Sequence, residues 1–481
     1  MNLTEKPARL LPLIVACALF IENMDSTVIS TSLPAMAKDL GTDPIALKLA
    51  MTAYLLSLAV FIPISGWVAD RFGSRITFCW AIGVFLIGSV CCAASGSLGE
   101  LVAARALQGV GGAMMVPVGR LVLLRSIPKN ELVQALSWLT IPAMIGPVVG
   151  PPLGGFITEY FHWRWIFLIN LPMGLVGILL ARKYIPQIRE DVAGLDGAGF
   201  VLAGLGLAAA MFGFSTMGRH LLPLWLSVAT LAAGIGLLAV YPWHAQRVQA
   251  PLLDLKLFRY NTFRAGVIGG FLFRTGIGAT PFLLPLMLQL GFGLSPLQSG
   301  SLTFISTVGA MFTKTIAAWV IRQWGFRRVL IINALLASVM LAGFGLFRPE
   351  WPHAALMTAL LVSGCFRSLQ FTAINAISYA EIDPHRMSQA TSLSSMMQQL
   401  ALGMGVAIGG YALEIAGVLR GTETTAVHNF YWAFAAMGLI SASSIWWMWQ
   451  LPRDAGAEMA GRAKVGQEVD DEPKSIKFPQ T

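Results

Sequence analysis

The sequence predicts an all-helical protein that crosses a membrane many times. Hydrophobic residues make up 56% of the 481 residues, charged residues only 12%, and the mean hydropathy is +0.68. Soluble proteins carry about 25% charged residues. The apolar residues also fall into runs of about 20, the length that a helix needs to cross a bilayer. Composition and run length together therefore indicate an all-α polytopic membrane protein.

Fourteen apolar runs follow one another along the chain, and each predicts a membrane-spanning helix. Their approximate limits are 10–33, 48–69, 77–96, 99–123, 133–157, 163–182, 197–217, 222–243, 262–290, 297–320, 328–347, 354–378, 389–417 and 428–450. The first run is expected to remain as a span, because it is too long for a secretory signal and contains two carboxylates.

Basic residues predict the orientation of these helices. If the N-terminus is cytoplasmic, most Lys and Arg residues near the ends of the runs fall on the cytoplasmic side, as the positive-inside rule requires. Lys48 is one of the few placed on the outer side. Both termini are therefore expected in the cytoplasm and the protein in the inner membrane. Because the net charge of +9 comes from short clusters between apolar runs, nucleic acid binding is not expected.

An internal repeat links the two halves of the chain. The segments GWVADRFGSR (66–75) and AWVIRQWGFR (318–327) share a Trp-Val pair, an aromatic residue followed by Gly, and a final Arg at matching offsets. A second match pairs GPPLGG (150–155) with GVAIGG (405–410). Repeated halves are typical of transporters, whose substrate site lies near the bilayer midplane between the halves.

The repeat divides the chain into four parts. Residues 1–183 and 262–451 are expected to form two pseudo-symmetric six-helix bundles. Residues 184–261 between them are expected to form an inserted transmembrane hairpin with its linkers. Residues 452–481 are polar, include the acidic cluster 468–472, and are expected to form a disordered cytoplasmic tail.

Two carboxylates, Glu22 and Asp25, lie inside the first apolar run. Three residues apart on a helix, they share one face and are about one turn from each other. A charge near the middle of a bilayer costs about 2.5 to 3.5 kcal/mol on insertion scales, so it usually faces a cavity. Proton handling is the first interpretation of the pair. A structural salt bridge is the alternative for either residue.

Four short motifs occur in order along the first five runs. The first lies in MDSTVISTSLP and contains Asp25, Thr27 and Pro34. The second joins runs two and three and contains Gly66, Asp70, Arg71, Gly73 and Arg75. The third lies in run four and contains Arg105, Gln108, Gly109, Gly111 and Gly112. The fourth lies in run five and contains Gly146, Pro147, Gly150, Pro151, Gly154 and Gly155. Together they resemble the motifs of the major facilitator superfamily and, within it, of the fourteen-span drug:proton antiporters.

The resemblance implies the major facilitator fold and an antiporter that exports small amphiphilic compounds by alternating access. The proton gradient would supply the energy, and no other cofactor is implied. The second and fourth motifs are expected to take part in conformational switching. Gly73 would permit a tight turn, and Asp70 and Arg71 could lock helix ends by charge pairing. The glycines and prolines of run five let helices approach and bend, with packing alone as the alternative.

The rise per residue of a helix predicts that Arg105 lies at the same depth in the membrane as Asp25. Asp25 lies about 22 Å from the inner end of its run and Arg105 near 21 Å in a core of about 30 Å. If the two runs face one cavity, Arg105 would favour the ionised carboxylate and burial the protonated one. We expect Asp25 to be the main proton carrier, and Glu22 a second carrier or a contact for substrate cations. Gln108, from the same motif as Arg105, is expected to line the substrate cavity together with Glu22 and Asp25.

The second half carries basic residues within its runs. Arg274, Lys314 and Arg367 lie about 9 to 18 Å from the inner ends of theirs, and no carboxylate lies at comparable depth. Amphiphilic anions, zwitterions and weak acids are therefore candidate substrates, although Lys314 could instead extend to the interface. The apolar residues that could line the cavity, with core or lipid contact as the alternative for each, are Phe271, Phe273, Phe282, Met287 and Phe371.

The sequence contains none of the motifs that would indicate an enzyme. Metal-ligand spacing, a nucleophile elbow and a nucleotide-binding loop do not occur in it. The resulting prediction is a monomeric, proton-coupled exporter embedded in the lipid bilayer. A dedicated organic-anion or metabolite exporter is the alternative within transport, and a membrane sensor without transport is the alternative from another class.

Overall fold

The computed structural model describes residues 7–126, 132–190, 194–217, 223–249, 251–383 and 386–457, and long helices dominate them. In chain order the long helices are α1 (Leu11–Thr31), α2 (Pro44–Phe72), α3 (Ser74–Ala94), α4 (Leu98–Leu123), α5 (Leu132–Tyr160), α6 (Trp165–Tyr184), α7 (Gly197–Thr216), α8 (Leu224–Arg247), α9 (Asn261–Gly291), α10 (Pro296–Trp324), α11 (Phe326–Leu346), α12 (His353–Ile377), α13 (Gln389–Arg420) and α14 (Val427–Trp449). All but α5 and α14 are candidate membrane spans by length and hydropathy, which gives twelve in the described residues.

The structure supports a polytopic helical protein, but the predicted count of fourteen spans is not confirmed by the twelve candidates. Helices α5 and α14 contain 29 and 23 residues, so each is long enough to cross about 30 Å of hydrocarbon. They fall outside the twelve candidates, and fourteen spans stay a prediction. Residues 458–481, which hold the acidic cluster and most of the predicted tail, lie outside the described residues.

The two junctions of the internal repeat have the same backbone geometry. Gly73 follows α2 with φ +96°, and Gly325 follows α10 with φ +76°. Each glycine N–H donates to the carbonyl four residues earlier, at 2.9 Å to Ala69 and 2.8 Å to Ile321. Since positive φ is readily adopted only by glycine, both helices end where the sequence places it. The matched segments thus form matched turns.

The long helices pack into two groups that meet along two main contacts. In the first half α1 packs on α4, α5 and α6, while α3 packs on α4 and α6. In the second half α9 packs on α13 and α14, and α12 packs on α10 and α11. The halves meet where α5 packs on α10 and α2 on α13. These two seams separate the helix groups that the repeat predicts as bundles.

Helices α7 and α8 form a close pair between the two halves. A Cβ at Gly234 would overlap the backbone of Ala210, so the two helices approach at glycine positions. Asp196 caps α7 by accepting from the Gly199 N–H at 2.8 Å and also accepts from His244 of α8 at 2.7 Å. Burial alone would raise the pKa of Asp196, but these hydrogen bonds lower it below its usual range. Helix α7 of this pair packs on α2 and α13, one helix from each half.

Candidate functional site

The Asp25 carboxylate is fully buried and is held by three side chains from two other helices. Arg105 donates from Nη1 to Oδ2 at 2.5 Å, and Gln108 donates from Nε2 to Oδ1 at 2.9 Å. Asn170 of α6 donates to the same Oδ1 at 2.9 Å. The exposed fraction is 0% for Asp25 and 1% for Arg105. Helices α1, α4 and α6 are therefore joined at one ionisable group inside the first half.

A second shell of contacts positions the groups that hold Asp25. Ser89 of α3 accepts from Gln108 at 2.8 Å and from Asn170 at 3.3 Å. The Arg105 guanidinium lies 4.2 Å from the centre of the Tyr54 ring in α2, a cation–π contact. Within the described residues, Arg105 Nε and Asn170 Oδ1 are buried without a hydrogen-bond partner. The network is thus only partly satisfied by the described side chains in this arrangement.

Glu22 lies one turn from Asp25, towards the N-terminal end of α1, in a different environment. Its side chain is half-buried, and its Oε2 is buried without a hydrogen-bond partner among the described residues. It interacts electrostatically with Arg120 of α4 and with Asp25. Asp25 is therefore enclosed by its partners, whereas Glu22 lies at the edge of the network.

Sequence reasoning found part of this network and missed the rest. It placed Asp25 and Arg105 at the same depth, and the structure brings them into contact. Gln108 also joins them, but Asp25 and Gln108 are both fully buried and do not line an open cavity in this arrangement. No motif or pattern in the sequence pointed to Ser89 or to the Tyr54 ring. Asn170 carried a usable signal, since a side-chain amide inside an apolar span usually has a partner there.

The motif between α2 and α3 is tied to its own half of the protein. Arg125, two residues beyond the end of α4, pairs with Asp70 at 2.6 Å and with Glu190 at 3.1 Å. Asp70 therefore takes part in a charge pair at the end of α2, and Arg71 is exposed. Their role in conformational switching stays a prediction.

Of the three remaining residues of that motif, Arg75 and Gly73 contact the last turn of α6 and the segment that follows it. Arg75 donates to the Arg182 carbonyl at 3.4 Å. A Cβ at Gly73 would overlap the Gln187 side chain, but one at Gly66 would meet open space. The turn geometry and packing thus require glycine at Gly73, and packing gives no reason for it at Gly66.

The glycine motif of α5 has two faces. A Cβ at Gly146, Gly150 or Gly154 would overlap residues of α1, so these positions, four residues apart, form the contact with α1. A Cβ at Gly155 would instead overlap the backbone of Pro296 and Leu297 in α10. Pro147 is half-buried on the same helix. One motif therefore packs the first half internally and also meets the second half.

The halves are in direct contact at the end where α1 ends and α2 begins, which we call the outer end after the orientation predicted from the loop charges. Gln289 of α9 donates to the Thr31 carbonyl at 2.9 Å. The Leu297 N–H donates to Glu159 at 3.0 Å. A Cβ at Gly300 would overlap the Pro151 carbonyl. Because the backbones of α5 and α10 touch there, the outer end is closed between the halves.

A buried ion pair also joins the halves at the outer end, and sequence reasoning missed it. Lys48 of α2 is fully buried, and its Nζ lies 3.1 Å from Glu414 of α13. The same Nζ lies 3.6 Å from the centre of the Tyr411 ring, whose hydroxyl donates to the Phe214 carbonyl of α7. Lys48 is therefore not simply a topology residue of the outer surface. Its partner lies 366 residues away, so local sequence could not reveal the pair.

Removing either member of this pair is expected to destabilise the closed outer end. Breaking a buried ion pair by deleting one partner costs about 3 to 5 kcal/mol, because the other charge stays buried. We expect Lys48→Met and Glu414→Gln each to lower the Tm of the purified protein, and the double variant to lower it by clearly less than the sum of the two. Strictly additive effects in this double-mutant cycle would show that the two charges are not coupled.

The three basic residues of the second half lie on α9, α10 and α12. Arg274 is 3% exposed, donates to Asn375 at 2.5 Å, and lies 5.5 Å from the centre of the Phe371 ring. Lys314 is exposed and donates to Thr372 at 3.1 Å. Arg367 is half-buried. Arg274 and Lys314 thus contact side chains of α12, the helix that carries Arg367.

The apolar candidates separate into core residues and partly accessible ones. Phe273, Phe282 and Met287 are fully buried in the core, as their alternative interpretation stated. Phe271 and Phe371 are half-buried, and Phe371 packs edge-on against Phe273. Only these two retain access to open space. Among the described residues, no cluster of His, Cys, Asp and Glu is arranged to hold a metal ion.

Two helix groups meet across one closed end, and charged groups are buried within their apolar spans. These features are those of a polytopic helical membrane protein of the transporter type. The family model of the Major Facilitator Superfamily matches residues 15–244 and 266–474. The chain therefore belongs to this superfamily, which indicates a transporter and not an enzyme.

Relatives and solved structures agree with this family. The chain is 37% identical over 452 residues to "Putative multidrug resistance protein MdtD" of Salmonella dublin, covering 93% of this chain and 95% of the relative. It is 38% identical over 435 residues to the protein of the same name from Cronobacter sakazakii, covering 89% and 92%. The crystal structure of a D-xylose-proton symporter superposes with a TM-score of 0.66 at 16% identity, covering 93% and 98%, which shows the shared fold.

Proposed function

We propose that this protein is a proton-coupled exporter of small amphiphilic compounds. The observation that carries the proposal is the buried Asp25 carboxylate, held by Arg105, Gln108 and Asn170 inside a transporter fold. An ionisable group at this depth is costly and is typical of a proton relay. The names of the multidrug resistance relatives support amphiphilic drugs as the substrate class.

The two carboxylates would divide the work of proton transfer. In the arrangement seen here, the outer end is closed and Asp25 is paired with Arg105. When the outer end opens, a proton on Asp25 would cancel its charge and free Arg105 from its partner. The buried polar atoms without partners would then reorganise around Arg105. Glu22, one turn nearer the cytoplasmic end in the predicted orientation, would pass the proton inward once the halves return.

The proposal includes the finer features of the membrane architecture. We propose fourteen spans, with α5 and α14 crossing alongside the twelve candidates, because their lengths suffice. Helices α7 and α8 would be the inserted hairpin between the six-helix bundles. The protein would work as a monomer in the inner membrane, with both termini in the cytoplasm. The loop charges support this orientation.

A dedicated organic-anion or metabolite exporter is the second candidate. The observation that favours it is the basic character of α9, α10 and α12, which contain Arg274, Lys314 and Arg367 but no Asp or Glu. Such a wall would attract anionic amphiphiles from the cytoplasm. The two candidates share the proton step and differ only in substrate charge.

Transport by the purified protein in proteoliposomes tests the proposal. Vesicles with an imposed pH gradient are loaded with a lipophilic fluorescent dye, and its movement is recorded before and after an ionophore collapses the gradient. We expect gradient-dependent movement that stops with the ionophore. Movement unaffected by the ionophore would contradict proton coupling. No movement of cationic, anionic or neutral dyes would favour a sensor.

Replacing Glu22 with glutamine should slow proton-driven export without abolishing substrate binding. The amide cannot carry the proton, and proton transfer by a positioned side chain typically contributes on the order of 100-fold in rate. We expect a loss of that order in gradient-driven export, with unchanged movement down a substrate gradient. Glu100→Gln, at an exposed carboxylate near the start of α4, is the matched control. Equal rates for Glu22→Gln and Glu100→Gln would exclude Glu22 from the proton path.

A further inference from the structure

One face of α12 carries a row of polar and aromatic side chains inside the membrane-spanning part of the second half. Arg367, Phe371 and Asn375 are spaced four residues apart and therefore share this face. Asn375 is exposed, and Arg367 and Phe371 are half-buried. A polar face of this kind is costly against lipid, so it is expected to border a water-filled cavity. We call it the α12 polar face.

Two further cations reach the same face from neighbouring helices. Arg274, near the middle of α9, donates to Asn375 at 2.5 Å and lies over the Phe371 ring. Lys314 of α10 donates to Thr372, the residue after Phe371, at 3.1 Å. Asn375 and Thr372 are both neutral, so these hydrogen bonds do not balance the two positive charges. Three positive charges thus converge on about two turns of α12.

Among the described residues of the second half, no counter-ion lies near these cations at this depth. Helices α9, α10, α11, α12 and α14 contain no Asp or Glu, and the one carboxylate of α13, Glu414, is paired with Lys48. Glu381 and Asp383 follow the end of α12, where they accept hydrogen bonds from Thr262 and Tyr260. Charges inside a membrane protein are normally paired with an opposite charge. The positive charges at the α12 polar face are therefore not balanced by a carboxylate from the described residues of the second half.

We propose that the α12 polar face is an anion subsite, which binds the carboxylate or sulfonate of an amphiphilic substrate beside the Phe371 ring. The proposal rests on the proposed function, since the ligand would be the exported compound. Arg274 and Arg367 would donate charge-assisted hydrogen bonds to the acidic group. The Phe371 ring would contact the apolar body of the substrate. The negative group of the substrate would thus supply the missing counter-ion.

Equilibrium binding to the purified protein tests the subsite without any proton gradient. The probes are three derivatives of one dansyl fluorophore, which carry a carboxylate, a hydroxyl or a trimethylammonium group on the same linker. We expect wild-type protein to bind the carboxylate probe most tightly. Arg274→Gln and Arg367→Gln should each weaken the carboxylate probe by about tenfold or more, the loss expected for one charge-assisted hydrogen bond. The trimethylammonium probe should bind equally well or more tightly.

Controls separate an anion subsite from a structural role of the same arginines. Arg420→Gln, at an exposed arginine that ends α13, should change none of the three affinities. Arg274→Lys should recover part of the carboxylate affinity, because the charge remains while the fork of donors is lost. Equal affinities of the three probes for wild-type protein, or equal weakening of all three by Arg274→Gln and Arg367→Gln, would overturn the subsite.

The outcome is independent of proton coupling. The three affinities are measured on the purified protein without a gradient, so the preference for the carboxylate probe requires no proton transfer through Asp25. Anion preference without gradient-driven export would leave the subsite standing and refute the proposed function. Gradient-driven export with no preference for anions would do the reverse.

Discussion

Replacing Asp25 with asparagine should abolish proton-driven export, lowering its rate on the order of 100-fold or more. Asparagine has nearly the shape of aspartate and can still accept from Gln108 and Asn170, but it cannot take up and release a proton. Export is measured in proteoliposomes with an imposed pH gradient. Export whose dependence on the gradient is undiminished in Asp25→Asn would overturn the proton-carrier role of Asp25.

The same substitution should also destabilise the protein, so stability has to be measured beside transport. It leaves the Arg105 guanidinium, 1% exposed, without its ionic partner, and an unpaired buried charge of this kind costs about 3 to 5 kcal/mol. Asp25→Asn combined with Arg105→Gln should recover most of the Tm and none of the proton-driven export. Recovery of export in the double variant would show that Asp25 acts only by balancing Arg105.

A control carboxylate distinguishes proton transfer from charge pairing in general. Asp39, beyond the outer end of α1, is partly exposed and pairs with Arg164 at 2.5 Å. The hydrogen bond from Arg164 holds the pKa of Asp39 below its usual range, so Asp39 stays ionised at neutral pH. Asp39→Asn should leave gradient-driven export close to the wild-type rate, because a permanently ionised group carries no protons.

Replacing Gly155 with leucine should prevent the outer end from closing. A Cβ at this position already overlaps the backbone of Pro296 and Leu297 in α10, so a larger side chain must push α5 and α10 apart. Overpacking typically costs about 1 to 3 kcal/mol, which would shift the equilibrium between closed and open outer ends by roughly 5- to 150-fold. Export should fall because the outer-closed state is depopulated.

Accessibility of a buried reporter measures this shift. Ser299 lies beside Gly300 at the contact between the halves and is fully buried. In a cysteine-free background, Ser299→Cys should react with an impermeant maleimide faster when Gly155→Leu is present. Gly83→Leu is the matched control, since a Cβ at Gly83 on α3 would meet open space. Unchanged labelling in Gly155→Leu would show that this contact does not control the outer end.

Asp25 and Gly155 are expected to have different functions, proton transfer and closure of the outer end. Asp25 lies within the first half, and its described hydrogen-bond partners all belong to that half. Gly155 lies at the seam between the halves, close in sequence to Gly146, Gly150 and Gly154, which pack against α1. The helix that bears the proton site therefore packs directly on the helix that closes the outer end. A rearrangement around Asp25 could in this way alter the seam through α1 and α5.

The sequence by itself determined the membrane character, the helical class and the depth of the charged residues. Apolar runs of about 20 residues can satisfy their backbone groups in a bilayer only as helices, so hydropathy alone predicts them. The positions of Asp25 and Arg105 along their runs likewise follow from a fixed rise per residue. The turn at Gly73 was also foreseeable, because a positive φ favours glycine.

Only the tertiary structure decided which of these residues face each other. Asp70 pairs with Arg125. Lys48 is buried against Glu414, although its position near the start of α2 predicted an outer surface residue. Asn170 and Ser89 complete the Asp25 network from separate helices. In each case the partner lies far away in sequence. Depth in the membrane is set by position along one helix, whereas rotation and neighbours are set by packing among many.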